Sequence, residues 1–385
     1  MFEEKLLRDT CLEVNLDNLE YNIKEIKKLI GSQVEISAVV KSNGYGFGAT
    51  GIAPTLVNSG VKYLAVANLL EAVELKKSNF NYPVFIMGHT PDSLLENLVD
   101  NNITSTVFSY EQAAKLSDIS KKKRKKSKIH IKYDTGFNRL GFKHSKDSME
   151  EIKNIFSLDN LHVEGVFSHL ALASYKDDLI QLENFKKIKL FLDKNNLKPD
   201  YYHICDSISG IDYEDFRFDM IRPGAAIYGL KSFKNNNISL KFIGTFKSKI
   251  SSIKNIKKGE GVSYDYTWRT EKDTVIATVP FGYGDGYPRN MFKKGDVTID
   301  GVRCPIIGVL CMDQCIVDIG KISYPYVGQD VTIWSDGKNN SPSIQEISEL
   351  AETNKNEIVA RITRRVPRVY IKNNKIKEIS NYLLD

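Results

Sequence analysis

The sequence predicts an α/β protein in which an N-terminal TIM-type (β/α)8 barrel precedes a C-terminal, mainly β domain. Two observations favour this fold: β-rich and helical segments alternate over roughly the first 230 residues, and β-rich segments predominate after Lys231–Asn237. We therefore assign residues 11–237 to the barrel and residues 238–385 to the β domain, with which residues 1–10 are also expected to pack.

The barrel prediction depends on eight short segments that are rich in β-branched, aromatic and other apolar residues. These segments are Glu35–Val40, Tyr63–Ala67, Pro83–Met87, Ile103–Phe108, Ile129–Tyr133, Val163–Ser168, Tyr201–Cys205 and Phe218–Ile221. Amphipathic segments between them predict helices, among them Asp17–Ile30 (with Asp17 as N-cap), Pro91–Asp100, Tyr110–Ser117 and Gln181–Asn195. A doubly wound sheet is the alternative, because short apolar runs are easily miscounted.

The second domain is predicted from β-rich runs separated by glycine-containing turns. Its predicted strands are Leu240–Ser248, Val275–Val279, Val297–Ile299, Pro305–Leu310, Cys315–Ile319 and Asp330–Trp334. One helical segment, Ile344–Thr353, interrupts this pattern. The domain is therefore expected to be mainly β.

The composition excludes several classes of protein. The chain has 385 residues, of which 42% are hydrophobic, and no apolar run is long enough to cross a membrane. Its first residues lack the apolar core of a signal peptide, so we expect a cytoplasmic protein. Five scattered cysteines predict neither a disulfide framework nor a metal site.

Much of the net charge of +6 lies in the segment 121–128 (KKKRKKSK). A run of this kind is able to bind nucleic acid, but no aromatic residue interleaves with its charges. We interpret it as a solvated loop before a strand. Neither nucleic acid nor a membrane is an expected partner.

Polar and charged residues follow the predicted barrel strands, at the ends where TIM-type barrels carry their active sites. They are Lys41, Lys132 with Arg139, His169, Ser207, and Arg222 with Gly224 and Ala225. Lys41 follows an apolar run, and desolvation there lowers a lysine pKa and favours Schiff-base formation. Ser207, Gly224 and Ala225 are placed to bind a phosphate after strands 7 and 8. A lysine and a phosphate site together predict pyridoxal 5′-phosphate (PLP) as cofactor.

The glycines after Lys41 offer an alternative interpretation. Gly46-Phe-Gly48-Ala-Thr-Gly51 matches the GxGxxG pattern of dinucleotide-binding proteins, and Glu71 lies 20 residues beyond Gly51. However, five residues separate the predicted strand from the first glycine, whereas the fingerprint opens directly from its strand. We therefore consider a nicotinamide enzyme the weaker hypothesis.

The motifs in this order resemble those of the bacterial alanine racemase family, PLP enzymes of fold type III. The resemblance extends over nearly the whole chain, through AVVKSNGYGFG, HIKYDTGFNRLGF, GVFSHLALAS, MIRPGAAIYGL, GVSYDYTW, PFGYGDGYPR, PIIGVLCMDQC and RVPR. It implies a barrel followed by a β domain, and a head-to-tail homodimer with shared active sites. It also implies interconversion of L- and D-alanine, which supplies D-alanine for peptidoglycan.

The resemblance also implies roles for individual residues. Lys41 and, from the partner subunit, Tyr264 correspond to the two catalytic bases. The other cofactor-binding positions are Tyr45, Arg139, His169, Ser207, Arg222, Gly224 and Ala225. Arg139 also corresponds to a substrate-binding residue, together with Met312, Asp313 and Tyr283. Lys132 corresponds to a lysine that is often carbamylated.

Three positions depart from the family pattern and bear on the substrate. Asp206 stands where an amide is usual, Asp265 where a glycine follows the catalytic tyrosine, and Arg364 where a tyrosine precedes RVPR. They leave open a serine racemase or one of broad specificity. A non-enzymatic PLP-binding protein is a further alternative, but the single-barrel proteins of that kind lack a β domain.

Overall fold

The computed structural model of the protein describes residues 6–78 and 82–384. The first described strand, β1 (Cys11–Asn15), is followed by eight strands that form a parallel sheet. These are β2 Glu35–Val39, β3 Tyr63–Val66, β4 Val84–Ile86, β5 Thr104–Val107, β6 Ser127–Lys132, β7 Leu161–Phe167, β8 Tyr201–His203 and β9 Met220–Ile221.

The parallel sheet closes into a barrel. Its strand order is β8-β7-β6-β5-β4-β3-β2-β9, so β8 and β9 are its two edges. Backbone hydrogen bonds join these edges, because Asp219 N–H donates to Tyr202 O and Arg222 N–H donates to Cys205 O, both at 3.0 Å. The predicted barrel is confirmed.

Helices surround the barrel strands, as the alternating pattern predicts. Asn15, not Asp17, caps the first helix, because its side chain accepts a hydrogen bond from Asn18 N–H at 2.8 Å. The first residues of the basic run continue a helix, so the run is not wholly a loop. The helices before residue 230 are Leu16–Ile30, Ala49–Asn58, Leu69–Lys77, Leu95–Asp100, Tyr110–Lys122, Lys146–Phe156, Tyr175–Lys194 and Ser207–Asp212.

The second domain contains a ten-stranded sheet of order β11-β14-β17-β16-β15-β18-β10-β1-β19-β20. A separate hairpin pairs β12 with β13, and helices Ile344–Leu350 and Lys355–Ala360 lie between β18 and β19. The strands are β10 Gly244–Lys249, β11 Ser252–Ile256, β12 Gly261–Val262, β13 Trp268–Arg269, β14 Thr274–Val279, β15 Asp296–Ile299, β16 Val302–Ile307, β17 Cys315–Asp318, β18 Asp330–Trp334, β19 Arg368–Lys372 and β20 Lys375–Ser380.

Strand β1 differs from the sequence expectation, which placed residue 11 onwards in the barrel. It pairs antiparallel with β10 and parallel with β19, and therefore belongs to the second sheet. Chain order does not reveal this pairing, because both partners lie more than 200 residues further along the chain. The boundary between residues 237 and 238 stays a prediction.

Apolar side chains fill the barrel and continue into the second sheet as one buried cluster. A smaller cluster inside the barrel includes Tyr63, Phe85, Phe167 and Met220. None of the helices in the described part of the chain combines the length and apolar character needed to cross a bilayer.

Candidate active site

A cavity of about 520 Å³ opens at the carboxyl ends of the barrel strands. Apolar side chains, including Ala67, Met87 and Phe167, form part of its wall. Nine residues that the sequence places in the active site line it together: Lys41, Tyr45, Lys132, Arg139, His169, Ser207, Arg222, Gly224 and Ala225. The structure thus brings the barrel part of the predicted site together.

Lys41 and Tyr45 reach this cavity from a left-handed turn. Strand β2 ends at Val39, two residues before Lys41, and Ser42, Asn43, Gly44 and Tyr45 then have φ angles of 52°, 54°, 61° and 54°. Each non-glycine residue in this conformation costs about 1–2 kcal/mol. The turn lies between Lys41 and Tyr45, and both side chains line the cavity.

Contacts from outside the turn hold it in place. Glu71 accepts hydrogen bonds from Ser42 N–H at 2.6 Å and Ala67 N–H at 2.8 Å. Arg368, the last residue of RVPR, is buried and donates to Gly46 O from Nε at 3.0 Å and from Nη2 at 2.8 Å. The second domain therefore supports the strained turn that carries Lys41.

The glycines of the GxGxxG match pack against the second domain. A Cβ at Gly46 would lie 2.1 Å from Val359 O, and one at Gly48 would lie 1.9 Å from the Tyr370 hydroxyl. Glu71, the acidic residue that lies 20 residues beyond Gly51, accepts a hydrogen bond from the left-handed turn. The dinucleotide hypothesis is therefore wrong, because these glycines make room for protein contacts.

The electrostatic environment favours a reactive amine on Lys41. Burial lowers its pKa, and the nearby Arg139 cation lowers it further, although Glu71 opposes the shift. Arg139 lies at the exposed mouth of the cavity, with its guanidinium 4.4 Å from the centre of the Phe137 ring. A neutral lysine at this position is able to attack an aldehyde.

One end of the cavity is a polar cradle. Ser207 Oγ accepts hydrogen bonds from Gly224 N–H at 2.8 Å and Ala226 N–H at 3.2 Å, which leaves the hydroxyl proton of Ser207 available to an anion. A Cβ at Gly224 would lie 2.5 Å from the Tyr45 hydroxyl, so only glycine allows this approach. Asp206 lies beside the cradle and uses Oδ1 to cap the helix Ser207–Asp212.

Arg222 also lines the cavity and is almost fully buried. Its Nη1 donates to His203 Nδ1 at 2.7 Å, while Nη2 donates to Ser168 O at 2.7 Å and Ile204 O at 3.1 Å. His169 Nδ1 lies 3.4 Å from Nη2. No described residue accepts a hydrogen bond from Nε of Arg222, which remains a donor for a ligand in the cavity.

Burial and surrounding cations lower the pKa of two further groups in the cavity. Burial lowers the pKa of His169 to about 2, and Arg222 and Lys132 add to this effect. Burial likewise lowers the pKa of Lys132 to about 7, with Arg222 and Arg139 contributing and Asp134 opposing. His169 is therefore a neutral imidazole, and the amine of Lys132 loses its proton far more readily than an ordinary lysine.

The predicted residues of the second domain lie elsewhere. Tyr264, Tyr283, Met312 and Asp313 are absent from the cavity lining among the described residues. Tyr264 is 67% exposed and Met312 is 52% exposed, in two loops joined by a hydrogen bond from Ser263 Oγ to Val309 O at 2.6 Å. Tyr283 N–H donates to Cys311 O at 3.2 Å. These four residues thus form a second group at the surface of the β domain.

The departures from the family pattern have different structural consequences. Asp265 has a φ of 58°, a left-handed conformation that glycine adopts freely and aspartate tolerates. Arg364 is bound to Glu74 at 2.9 Å, lies 5.0 Å from the centre of the Tyr382 ring and does not line the cavity. Of the three positions, Asp206 alone reaches the cavity wall.

Three residues at the site were not predicted. His203 contacts Arg222, and Ser232 and Asn356 line the cavity. His203 was detectable, because it ends strand β8 beside the other strand-end residues. Asn356 carries no sequence signal, since it lies on a helix of the second domain. No cluster of three metal-ligating side chains occurs within residues 6–78 and 82–384.

Known proteins resemble the chain over nearly its full length. Residues 14–232 match the alanine racemase N-terminal domain, and residues 243–370 match the alanine racemase C-terminal domain. Alanine racemase 1 of Clostridium acetobutylicum is 38% identical over 383 residues, which cover 98% of this chain and 99% of that protein.

Solved structures agree with this relationship. An alanine racemase of Clostridium difficile 630 superimposes with a TM-score of 0.95 at 35% identity, over 98% of this chain and 100% of the other. An alanine racemase of Bartonella henselae with covalently bound pyridoxal phosphate superimposes with a TM-score of 0.83 at 28% identity, over 94% and 99%. The fold, both domains and the order of the motifs lead to one conclusion: the chain is an enzyme of the alanine racemase family.

Proposed function

We propose that this enzyme interconverts L- and D-alanine with PLP as cofactor, as a homodimer whose two active sites are shared between subunits. The observation that carries the proposal is the position of Lys41. Its amine, with a lowered pKa, lies in one cavity with the Ser207–Gly224 cradle and the Nε donor of Arg222. This set of groups suits a phosphorylated aldehyde that carries a ring nitrogen.

The residues that line the cavity offer groups for both the phosphate and the ring nitrogen of PLP. Tyr45, Ser207, Gly224 and Ala225 would hold the phosphate, and Arg222 would donate to the ring nitrogen. The Bartonella henselae structure with covalently bound pyridoxal phosphate supports this assignment, because the chains superimpose closely. When bound, PLP supplies an electron sink that makes the α-proton of an amino acid removable.

We assign one base to each face of the α-carbon. Lys41 would hold or move a proton on one face, and Tyr264 of the partner subunit would do so on the other. Tyr264 is exposed and does not line the cavity of its own chain. This supports the assignment, because a residue that serves a neighbouring subunit must lie at the surface. His169 and Arg222 would connect Tyr264 to the ring nitrogen.

Arg222 favours racemisation over other reactions of the same cofactor. An arginine has no acceptor atom and cannot take a proton from the ring nitrogen, whereas a carboxylate there would keep that nitrogen protonated. The electron sink is weaker beside an arginine, and rapid return of the proton to carbon is favoured. Decarboxylases of similar build place an acidic residue in this role.

The substrate end of the site is assigned to Arg139 of one subunit and to the surface group of its partner. Arg139 would bind the carboxylate of the amino acid, and Tyr283, Met312 and Asp313 would complete the pocket from the β domain. The apolar wall near Met87 and Phe167 suits a small side chain. The cellular role we propose is the supply of D-alanine for peptidoglycan in the cytoplasm.

Lys132 is expected to be carbamylated, because a neutral amine reacts with carbon dioxide and this lysine has a pKa of about 7. A carbamate would add a negative charge between Arg139 and Arg222 and orient Arg139. Protein equilibrated with ¹³C-bicarbonate at pH 8 should show a carbamate ¹³C signal that weakens as the pH falls below 7, where the amine is protonated. The variant Lys132→Met should lack the signal; an unchanged signal would place the carbamate elsewhere.

The proposed activity is tested by proton NMR of L-alanine in heavy water with the purified enzyme and PLP. Exchange of the α-proton, together with D-alanine found by chiral separation, is the expected result. Persistence of the α-proton signal with PLP bound would contradict alanine as substrate. The same assay with L-serine and L-lysine would then distinguish a serine racemase from one of broad specificity.

A further inference from the structure

A chain of buried polar side chains runs from Arg222 through the barrel interior, away from the cavity. Arg222 Nη1 contacts His203 Nδ1 at 2.7 Å, and His203 Nε2 contacts His130 Nδ1 at 2.8 Å. His130 Nε2 in turn lies 3.4 Å from Glu164 Oε2, an ion-pair distance at which neither of these buried atoms completes a hydrogen bond. His130, His203 and Glu164 are at most 2% exposed, so water does not compete for these contacts.

The residues at the two ends of this series of side chains fix the direction in which the protons between them are donated. Arginine is only a donor and an ionised carboxylate is only an acceptor. His203 Nδ1 must therefore accept from Arg222, which places the His203 proton on Nε2. That proton is donated to His130 Nδ1, and the His130 proton lies on Nε2, facing Glu164.

The charge states agree with this direction. Burial lowers the pKa of both His130 and His203, so both rings are neutral. Burial opposes ionisation of Glu164, but the neighbouring donor groups of His130, Lys128 and Tyr63 outweigh it and lower its pKa to about 2. Lys128, from the basic run, contacts Glu164 Oε1 at 2.7 Å.

The barrel is built around this chain. A Cβ at Gly165 would lie 2.5 Å from His130 Nδ1, so the ring occupies space that only glycine leaves. The His130 ring packs on Phe85 with centroids 4.4 Å apart, and the His203 ring stacks on Phe167 at 5.0 Å. The packing fixes both rings where the hydrogen bonds require them.

We propose that Glu164, acting through His130 and His203, is a positioning residue that holds Arg222 with Nε directed to the cofactor ring. The inference rests on the proposed function for its effect on catalysis. Removing the carboxylate of Glu164 leaves the buried His130 Nε2–H facing no oxygen, which favours the other tautomer of His130. His130 would then donate to His203, and the His203 proton would move to Nδ1, where it opposes Arg222.

The experiment compares the holoenzyme with Glu164→Leu, which removes the acceptor, and Glu164→Gln, which keeps a carbonyl acceptor. Long-range ¹H–¹⁵N NMR of histidine-labelled protein reports which nitrogen of each ring carries the proton. We expect His203 to be protonated on Nε2 in the wild type and in Glu164→Gln, but not uniformly so in Glu164→Leu. We expect kcat for alanine to fall about tenfold in Glu164→Leu, with KM changed less than about twofold.

Two further variants separate positioning from a general effect on the fold. His130→Phe keeps an aromatic ring on Phe85 and should reproduce the His203 and kcat changes even where Glu164→Leu folds poorly. Asp193→Asn removes the carboxylate of an exposed pair, Lys189 Nζ to Asp193 Oδ2 at 2.8 Å, and should change neither.

A wild-type enzyme in which His203 is protonated on Nδ1 would overturn the proposal. The proposal would also be overturned if the His203 tautomer and kcat were unchanged in both Glu164→Leu and His130→Phe. The tautomers are read from the protein itself. A wild-type enzyme that failed to racemise alanine would therefore contradict the proposed function, while the histidine spectra would still decide the direction of the chain.

Discussion

Replacing Lys41 with alanine is expected to abolish racemisation, with a fall in kcat of at least about 10³-fold. The lysine would hold the cofactor covalently and return a proton to the α-carbon, so its loss removes two functions at once. We expect the absorbance of lysine-bound PLP to disappear, and α-proton exchange of L-alanine in heavy water to stop. The side chain is only partly buried, so the fold should persist.

Lys115→Ala provides the matched control for this variant. Lys115 lies on the outside of the barrel in an exposed pair with Asp92, and its removal should leave both cofactor absorbance and turnover unchanged. Normal racemisation by Lys41→Ala, with PLP still absorbing as a lysine adduct, would show that another lysine holds the cofactor. Lys132 would then be the candidate, since it is the other lysine in the lining of the same cavity.

Subunit mixing is expected to restore activity from two inactive variants. Lys41→Ala inactivates the site in its own barrel, and Tyr264→Phe inactivates the site of the partner subunit. In a heterodimer of the two, one site receives both substitutions and the other receives neither. The purified heterodimer should therefore show about half the wild-type activity, and a random equimolar mixture about a quarter.

The measurement requires co-expression with two affinity tags, so that only heterodimers are retained. A heterodimer of two differently tagged Lys41→Ala chains is the control and should remain inactive. Tyr264 is exposed, and its replacement by phenylalanine removes only a hydroxyl, so neither chain should unfold. An inactive mixed heterodimer would show that each site is built from one chain, and would contradict the shared-site proposal.

Much of the fold could be predicted because it is encoded locally. The alternation of apolar strands with amphipathic helices indicated the barrel, and the closure between Tyr202 and Asp219 confirmed it. Lys41, His169 and Arg222 could be nominated because all follow strands whose carboxyl ends meet at one face. Such an arrangement depends on chain order and on the parallel sheet alone.

Other features could not be predicted, because they depend on contacts between distant segments. The pairing of β1 with β10 and β19 joins the beginning of the chain to the second sheet. The glycines of the GxGxxG match have the spacing of a phosphate-binding loop. In the folded protein, however, Val359 and Tyr370 occupy the space beside them. A glycine motif in the sequence indicates a permitted backbone conformation, but it does not indicate which group, ligand or protein, packs against the glycines.

The sequence by itself determined the fold class, the family resemblance, and the residues that the barrel brings to one cavity. Only the tertiary structure decided the electrostatic environment of those residues and the support behind them. The lowered pKa of Lys41, the donor left on Arg222, and the chain through His203 and His130 to Glu164 all arise from burial and from distances between remote side chains. Residue type sets which protons a group is able to carry, but the dielectric surroundings and the neighbouring charges decide whether it carries them.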